Sequence, residues 1–389
     1  MDEYFAKTLD KLTLNNYNDL TIVLGNESCD LDSAVSSIVY AMFLNWEHCH
    51  CKSCPKEALP QDVLQDVISL FMPVLNVDRE DYELKTEVVY LLRKYGVDKN
   101  QLVFRDDKDL QELVNNSNTK VVLVDHHVLS KKDMFLAPFV TEIIDHRPLD
   151  KSQWTFKEGT RTTIEAVGSC STLVAQRIKD LSSLIGTDVD FFNKYIECGQ
   201  FLHATIILDT VNFSKEVNKG TPHDEEIIQF LESLIKPKDY TTERQQILDE
   251  LVAARSDVSG LTTPQLLKKD FKIVGNVFIP SFPILVKEVL KKPDILQSVN
   301  EALVRQGCIT ALLLGMELSG GLKRDTAVYS TKGTAVMLGE HLKQWATPPL
   351  RLTSDEQSPP GFIYYGQMNL SASRKQYIPA VNDFIKIYK

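Results

Sequence analysis

Short apolar runs alternate with longer amphipathic stretches through the first half of the chain. Thr21–Gly25 has the composition of a buried strand, and Ser33–Trp46 repeats its apolar positions at helical spacing. Phe71–Leu75, Leu102–Phe104, Val121–Val124 and Glu142–Ile144 read as further short strands, with helices over Tyr82–Tyr95 and Leu110–Asn115 between them. Helices over Ser171–Leu184 and Phe191–Thr205 follow, and the second leads into the apolar run Ile206–Asp209. This alternation predicts an α/β unit with a mostly parallel sheet flanked by helices.

The pattern changes at Lys215–Asp239, which is polar and broken by Gly220, Pro222 and Pro237. Beyond it come a helix (Thr242–Arg255), a strand (Phe271–Pro280), a helix (Pro293–Arg305), strands at Cys308–Met316 and Thr326–Tyr329, a helix (Gly333–Trp345) and a strand (Phe362–Gln367). That order predicts a smaller α+β domain. The expected division is residues 1–215, a linker over 216–240 that holds a short helix, and residues 241–389. Ser354–Gly361 reads as a surface loop.

Four apolar runs end on residues that bind metals. TIVLGNESCDLDS delivers Asp30 and Asp32, VVLVDHH delivers Asp125, His126 and His127, TEIIDHR delivers Asp145, His146 and Arg147, and ATIILDT delivers Asp209. A buried strand carries its last residue to one edge of the sheet, where ligand sites form. Carboxylates at i and i+2 in a loop can face one cavity, and hard divalent cations prefer such oxygen ligands. Each residue also has a plainer reading: Asp209 as a helix cap, His127 as a structural histidine, Asp145 as the partner that orients His146. His126 is the candidate for proton exchange. His203 reads as a packing residue of its helix. Gly168 and Ser169 allow backbone N–H groups to approach an anion, or simply begin a helix capped by Ser169 or Ser171.

Composition narrows the classes. Over 389 residues the chain is 43% hydrophobic and 25% charged, as globular proteins are. Its net charge of −10 argues against a general nucleic-acid surface, which needs broad basic patches. No apolar run is long enough to span a bilayer. The seven cysteines and a polar, acidic N-terminus point to a cytoplasmic chain with reduced thiols. His48, Cys49, His50, Cys51 and Cys54 enrich an apparent insertion at 46–70, read either as a zinc site or as a cysteine-rich loop.

The order GNESCDLDS, VDHH, IDHR, VGSC, ILDT and SASRKQ resembles the DHH phosphoesterase superfamily, and within it the prune-type exopolyphosphatases. The stretch DVSGLTTPQLLKKDFK is similar to the DHH-associated type 2 domain shared with family II pyrophosphatases. The resemblance covers most of the chain. It implies two divalent ions, Mg²⁺ or Mn²⁺, with Asp30, Asp32, Asp125, His146 and Asp209 as ligands and Asp125 bridging. It implies that Asp125, His126 and Arg147 serve catalysis, and that Arg147, Lys272, Arg374 and Lys375 hold substrate phosphates. Asn26 stands where the pyrophosphatases have a metal-binding histidine, and is a weak metal or substrate contact. Arg147 replaces a second histidine. A guanidinium binds phosphate oxygens but does not act as an acid at neutral pH.

The resemblance implies hydrolysis of short inorganic polyphosphates, tri- and tetraphosphate, to orthophosphate by a metal-activated water. Two alternatives stand beside it: a cyclic-nucleotide phosphodiesterase, with Phe213 or Tyr364 lining a base pocket, and a regulatory scaffold protein with weak residual activity. Protein partners leave no mark in the sequence, and the partner-binding extension of vertebrate members is expected to be short or missing.

Overall fold

The computed structural model describes all residues except 54–67, 117, 150–151, 153–154, 187–189, 237–238, 318–320, 355–360 and 389. Contacts divide the chain into Met1–Arg255 and Ser256–Lys389. The first unit runs α1 (Asp2–Leu14), β1 (Asp19–Leu24), α2 (Leu31–Ser53), β2 (Ser69–Val74), α3 (Thr86–Lys94), α4 (Leu110–Asn116), β3 (Asn118–Val124), β4 (Val140–Asp145), β5 (Arg161–Ile164), α5 (Cys170–Leu184), α6 (Asp190–Lys194), α7 (Ile196–Thr210), α8 (Pro222–Ile235) and α9 (Tyr240–Ser256).

Its five strands are all parallel, in the order β2-β1-β3-β4-β5. Central strands of such a sheet are covered on both faces, which is why β1, β3 and β4 read as near-continuous apolar runs. One apolar core joins α2, α3, α5, α6, α7 and α8 to one face, a second joins α4 to the other, and α1 contributes to both. The order reverses between β1 and β3, so the crevice at their C-terminal ends is where a ligand site is expected.

Three expectations change. Ile206–Asp209 is not a strand: it is the last part of α7, whose residues are buried almost all round. A short apolar run cannot by itself distinguish a buried helix from a buried strand. Leu102–Phe104 forms no strand, only an isolated bridge from Leu75 to Phe104. The stretch read as a linker over 216–240 holds α8, fourteen residues long and packed into the first core, and the contact boundary falls after Arg255.

The insertion begins as a continuation of α2, with His48, Cys49, His50 and Cys51 on its last turns. His50 stacks on Trp46 with ring centroids 5.2 Å apart. Cys54, and with it the CxxC pair, lies outside the described residues, as does most of the loop at 354–361.

The second unit adds α10 (Thr263–Lys269), β6 (Phe271–Val274), β7 (Val277–Phe282), α11 (Val286–Val289), α12 (Ile295–Gln306), β8 (Thr310–Glu317), β9 (Lys323–Ser330), α13 (Ala335–Gln344), β10 (Leu352–Ser354), β11 (Ile363–Gln367) and α14 (Arg374–Ile387). The run Phe271–Pro280 is thus two strands, β6 and β7, joined at Gly275, whose φ is +57°. The sheet order is β10-β11-β9-β8-β7-β6, antiparallel except for β7 and β8. Apolar residues of α13 and α14 share a core with these strands.

Candidate metal centre

Side chains from four segments of the first unit converge at the predicted crevice. Asp125 follows β3 with φ +60°, a left-handed conformation that aspartate tolerates better than most residues. It is fully buried. His146 follows β4, with its Nε2 3.3 Å from Asp125 Oδ1 and 3.9 Å from Asp32 Oδ2. Asp32, Asp125 and His146 each offer one ligand atom, all within 4.8 Å of one another, and so form a group that could hold a metal ion.

Each ligand is oriented by the backbone around it. His146 Nδ1 lies 3.1 Å from the Val167 carbonyl, which only accepts, so Nδ1 carries a proton and Nε2 faces the carboxylates. Asp32 is gripped by the first turn of α5. Its Oδ2 accepts from Cys170 N–H at 2.6 Å, and its Oδ1 accepts from Ser171 N–H at 2.8 Å and Ser171 Oγ at 2.7 Å. The anion that this helix start receives is therefore a carboxylate of the chain itself. Neither serine reading for the cap holds: Ser169 is the N-cap residue without a side-chain cap bond, and Ser171 bonds Asp32.

The α5 start is held in turn by Asp224 of α8, fully buried. Asp224 accepts from Gly168 N–H at 2.8 Å, from Thr172 Oγ1 at 2.6 Å and from Thr221. Gly168 has no room for a side chain: a Cβ there would stand 2.6 Å from Thr210 Cγ2 and 3.0 Å from Asp224 Oδ2. The Thr221–Asp224 capping box marks Asp224 as part of a helix start, but no sequence pattern shows its hold on Gly168, 56 residues away.

Electrostatics mark the cluster as short of positive charge. Burial, reinforced by Asp32 and Asp30 and opposed by His146 and Arg147, pushes the Asp125 carboxyl up to about 7. Burial, then the charges of Asp32 and Asp30, holds Asp209 well above the carboxylate range. Burial also raises Asp32. His146 moves the other way. Burial disfavours its charged form, but Asp125 and Asp32 outweigh that and raise it to about 9. Asp209 Oδ2 is buried with no hydrogen-bond partner, and buried Asp125 Oδ1 has only the ion-pair contacts of His146 and Arg147 at 3.3 Å. Such buried carboxylate oxygens beside an oriented imidazole are a donor set that suits a divalent cation.

The remaining site residues are placed as follows. Asp30 is the N-cap of α2: its Oδ1 accepts from Ser33 N–H at 3.1 Å and its Oδ2 from Ser28 Oγ at 2.9 Å. Arg147 donates from Nη1 to the Asp125 carbonyl at 2.9 Å, its Nη2 stands 3.3 Å from Asp125 Oδ1, and half of its side chain is exposed. His126 is buried with Nδ1 on the Val124 carbonyl at 2.9 Å. It lines a cavity of about 350 Å³ with Asn26, Ser28, Asn76, Asp133 and Arg147. Burial lowers the His126 pKa, so the ring is neutral with an Nε2 lone pair free to accept.

Two expectations about partners are corrected. Asp145 does not orient His146; its Oδ2 pairs with His127 Nδ1, and both groups are buried. Strand geometry explains this, because successive side chains alternate in direction. Asn26 does not present its oxygen to the centre. Its Oδ1 accepts from Ser28 N–H at 2.7 Å, and its amide Nδ2 donates to Asp125 Oδ2. His203 bonds Glu232 of α8 at 3.1 Å.

In the second unit, Lys272 lies exposed on β6, and Arg374 and Lys375 open α14. Arg374 pairs with Asp270 Oδ1 at 2.8 Å and donates to Ser281 Oγ at 3.2 Å.

Family models match both halves of the chain: "DHH family, N-terminal domain" over residues 21–198 and "DHHA2 domain" over residues 249–384. Exopolyphosphatase PRUNE1 of Homo sapiens is 31% identical over 387 residues, covering 97% of this chain and 78% of that protein. Exopolyphosphatase PRUNE1 of Mus musculus is 31% identical over 397 residues, covering 100% of this chain and 80% of that one. A solved exopolyphosphatase-related protein from Bacteroides fragilis aligns over 98% of this chain and 96% of its own at 14% identity, with a TM-score of 0.41, too loose a likeness to bear on the site. Among the described residues no helix is long and apolar enough to cross a membrane. On its two matched domains and its near full-length identity to these relatives, the chain belongs to the prune-type exopolyphosphatase family of the DHH phosphoesterase superfamily.

Proposed function

We propose that the chain is a divalent-metal-dependent exopolyphosphatase that releases orthophosphate from short inorganic polyphosphates, tri- and tetraphosphate. The observation that carries this reading is the converging group of buried Asp32 and Asp125 with an oriented His146, beside the unpartnered Asp209 Oδ2. The names of its relatives supply the substrate class. Mg²⁺ or Mn²⁺ bound there would lower the pKa of a water and polarise phosphoryl oxygens.

The chain's own residues would do the rest. Asp32, Asp125, His146 and Asp209 hold the ion, and Asp30 stands at the edge of the same loop. Arg147 keeps Asp125 in place through its carbonyl while its exposed end meets a substrate phosphate. His126, neutral and facing the cavity, accepts or returns a proton. Lys272, Arg374 and Lys375 remain proposed phosphate contacts on the family match, Arg374 being prepared for it by Asp270 and Ser281.

The aromatic candidates of the phosphodiesterase alternative have partners of their own. Phe213 packs where a Gly220 side chain would be, with the Arg244 guanidinium 5.5 Å from its ring, and Tyr364 donates to Asp325 at 3.1 Å. Phosphate release from tripolyphosphate with Mg²⁺ or Mn²⁺ tests the reading. Wild type should release phosphate and Asp125→Ala should fall by a factor of about 100 or more, as expected when a central ligand is lost. Metal-dependent release that survives Asp125→Ala would sink the assignment of the centre. No release by the wild type, with cAMP or cGMP hydrolysed instead, would move the assignment to the phosphodiesterase; inactivity on all three would favour the scaffold.

A further inference from the structure

We infer that this centre seats one divalent cation tightly, and that Asn26 closes the second seat by occupying the far oxygen of Asp125, given the metal-dependent reading above. The family resemblance leads to two ions sharing Asp125, but the ligand atoms of this chain do not divide that way.

On one side, buried Asp125 Oδ1 faces His146 Nε2 and Arg147 Nη2 at 3.3 Å each, and belongs with Asp32 to the converging group. Asp209 Oδ2 is buried without a hydrogen-bond partner. Three carboxylates and one imidazole oriented by a carbonyl would supply four ligands to one hard cation, leaving the remaining positions to water.

On the other side, Asp125 Oδ2 accepts from the Asn26 amide. The direction of that amide is fixed by chemistry. Ser28 N–H can only donate, and it points at Asn26 Oδ1 at 2.7 Å. The NH₂ end must therefore face Asp125, where it also reaches the Asp125 carbonyl at 3.2 Å. Its hydrogens carry partial positive charge towards the place a second cation would take. Turning the amide over would set N–H against N–H at Ser28 and the amide oxygen against the Asp125 carboxylate. Asp30, the other carboxylate on this side, caps α2 through Ser33 N–H and accepts from Ser28 Oγ. A second ion would compete with the amide for Asp125, while Asp30, like Asp32, can keep its hydrogen bonds and still offer lone pairs.

The test counts ions without any turnover. Metal-free protein is titrated with Mn²⁺, with heat as one readout and the electron paramagnetic resonance signal of free Mn²⁺ as the other. Wild type should bind one ion per chain, with any further ion weaker by at least about tenfold. Asn26→Asp keeps the size but turns the donor into an acceptor and adds a ligand. It should bring the count to two. Two ions of similar affinity in the wild type would overturn the inference and leave the metal-dependent function standing. A count that stays at one in a folded Asn26→Asp would also overturn it, and if that variant does not fold, the wild-type count decides. No binding at all would overturn both this inference and the metal-dependent function.

Discussion

Asp209 shows what a single residue reveals about the centre. It sits at the end of a helix buried almost all round, with an orphaned carboxylate oxygen and a carboxyl held well above its usual range by burial, then by Asp32 and Asp30. Fold stability gains nothing from such a group: a folded-state pKa raised above the unfolded one means that stability falls as pH rises through the unfolded value. Replacing it by the neutral isostere should therefore stabilise the metal-free protein while removing a ligand. Asp209→Asn is expected to gain about 1–3 kcal/mol of stability in chelator, because an unpaired buried charge is lost. It should lose metal-dependent phosphate release, and the stabilisation that added Mn²⁺ gives the wild type should shrink. Urea unfolding with and without Mn²⁺ checks all of this, and a variant less stable than wild type in chelator would mean that the carboxylate has a partner in the protein.

At the scale of elements, the centre depends on the starts of two helices. The first turn of α5 grips Asp32 by two backbone N–H groups, and Asp224 at the start of α8 grips the loop before α5 through Gly168. Asp224 touches no ligand directly, so its effect passes through backbone position. Asp224→Asn keeps the shape but puts a donor among the donors of Gly168, Thr172 and Thr221. It should weaken Mn²⁺ binding about 10–100-fold, the range seen when the supports of metal ligands are removed. Asp224→Glu should not restore it, because the space beside Gly168 is already closed by Thr210 and the Lys219 carbonyl. Calorimetric Mn²⁺ titration would show this; unchanged affinity in a folded Asp224→Asn would mean that α5 holds its position without α8.

For the molecule as a whole, α8 and α9 decide where the first unit ends. Glu232 of α8 is buried and meets His203 of α7 at 3.1 Å and Arg244 of α9 at 2.6 and 2.9 Å. Burial opposes the charged form of Glu232, but the bonds from Arg244 and His203 outweigh it and hold the carboxyl at about 2, below its ordinary 4.5. A depressed folded-state pKa contributes stability that is complete above 4.5 and is lost as pH falls towards 2. Glu232→Gln should cost about 1–3 kcal/mol at pH 7, since it removes a charged partner of His203 and Arg244 while Arg244 keeps Glu225. Its stability should also fall less steeply than that of wild type between pH 4.5 and 2. Unfolding curves of both proteins across that range would settle it, and parallel curves would contradict the role given to this carboxylate.

The three residues that converge, Asp32, Asp125 and His146, were legible in the sequence, and so was the α/β pattern, because a buried parallel strand must be apolar up to its last residue and can then expose a polar one. Asp30, Asp32, Asp125, His146 and Arg147 all stand at such exits or just beyond them. Asp209 was legible as a residue but not as an element, since three apolar residues before an aspartate fit a buried helix as well as a strand. Partners were not legible. That Asp145 turns to His127, that Asn26 gives its NH₂ to Asp125, and that Asp224 holds the α5 loop depend on side-chain direction and on contacts up to 99 residues apart. The sequence by itself determined which groups are available to bind a cation. Only the tertiary structure decided which oxygens hydrogen bonds already occupy and which remain free for it, because hydrogen bonding is directional and acts over about 3 Å, while a pattern records only order.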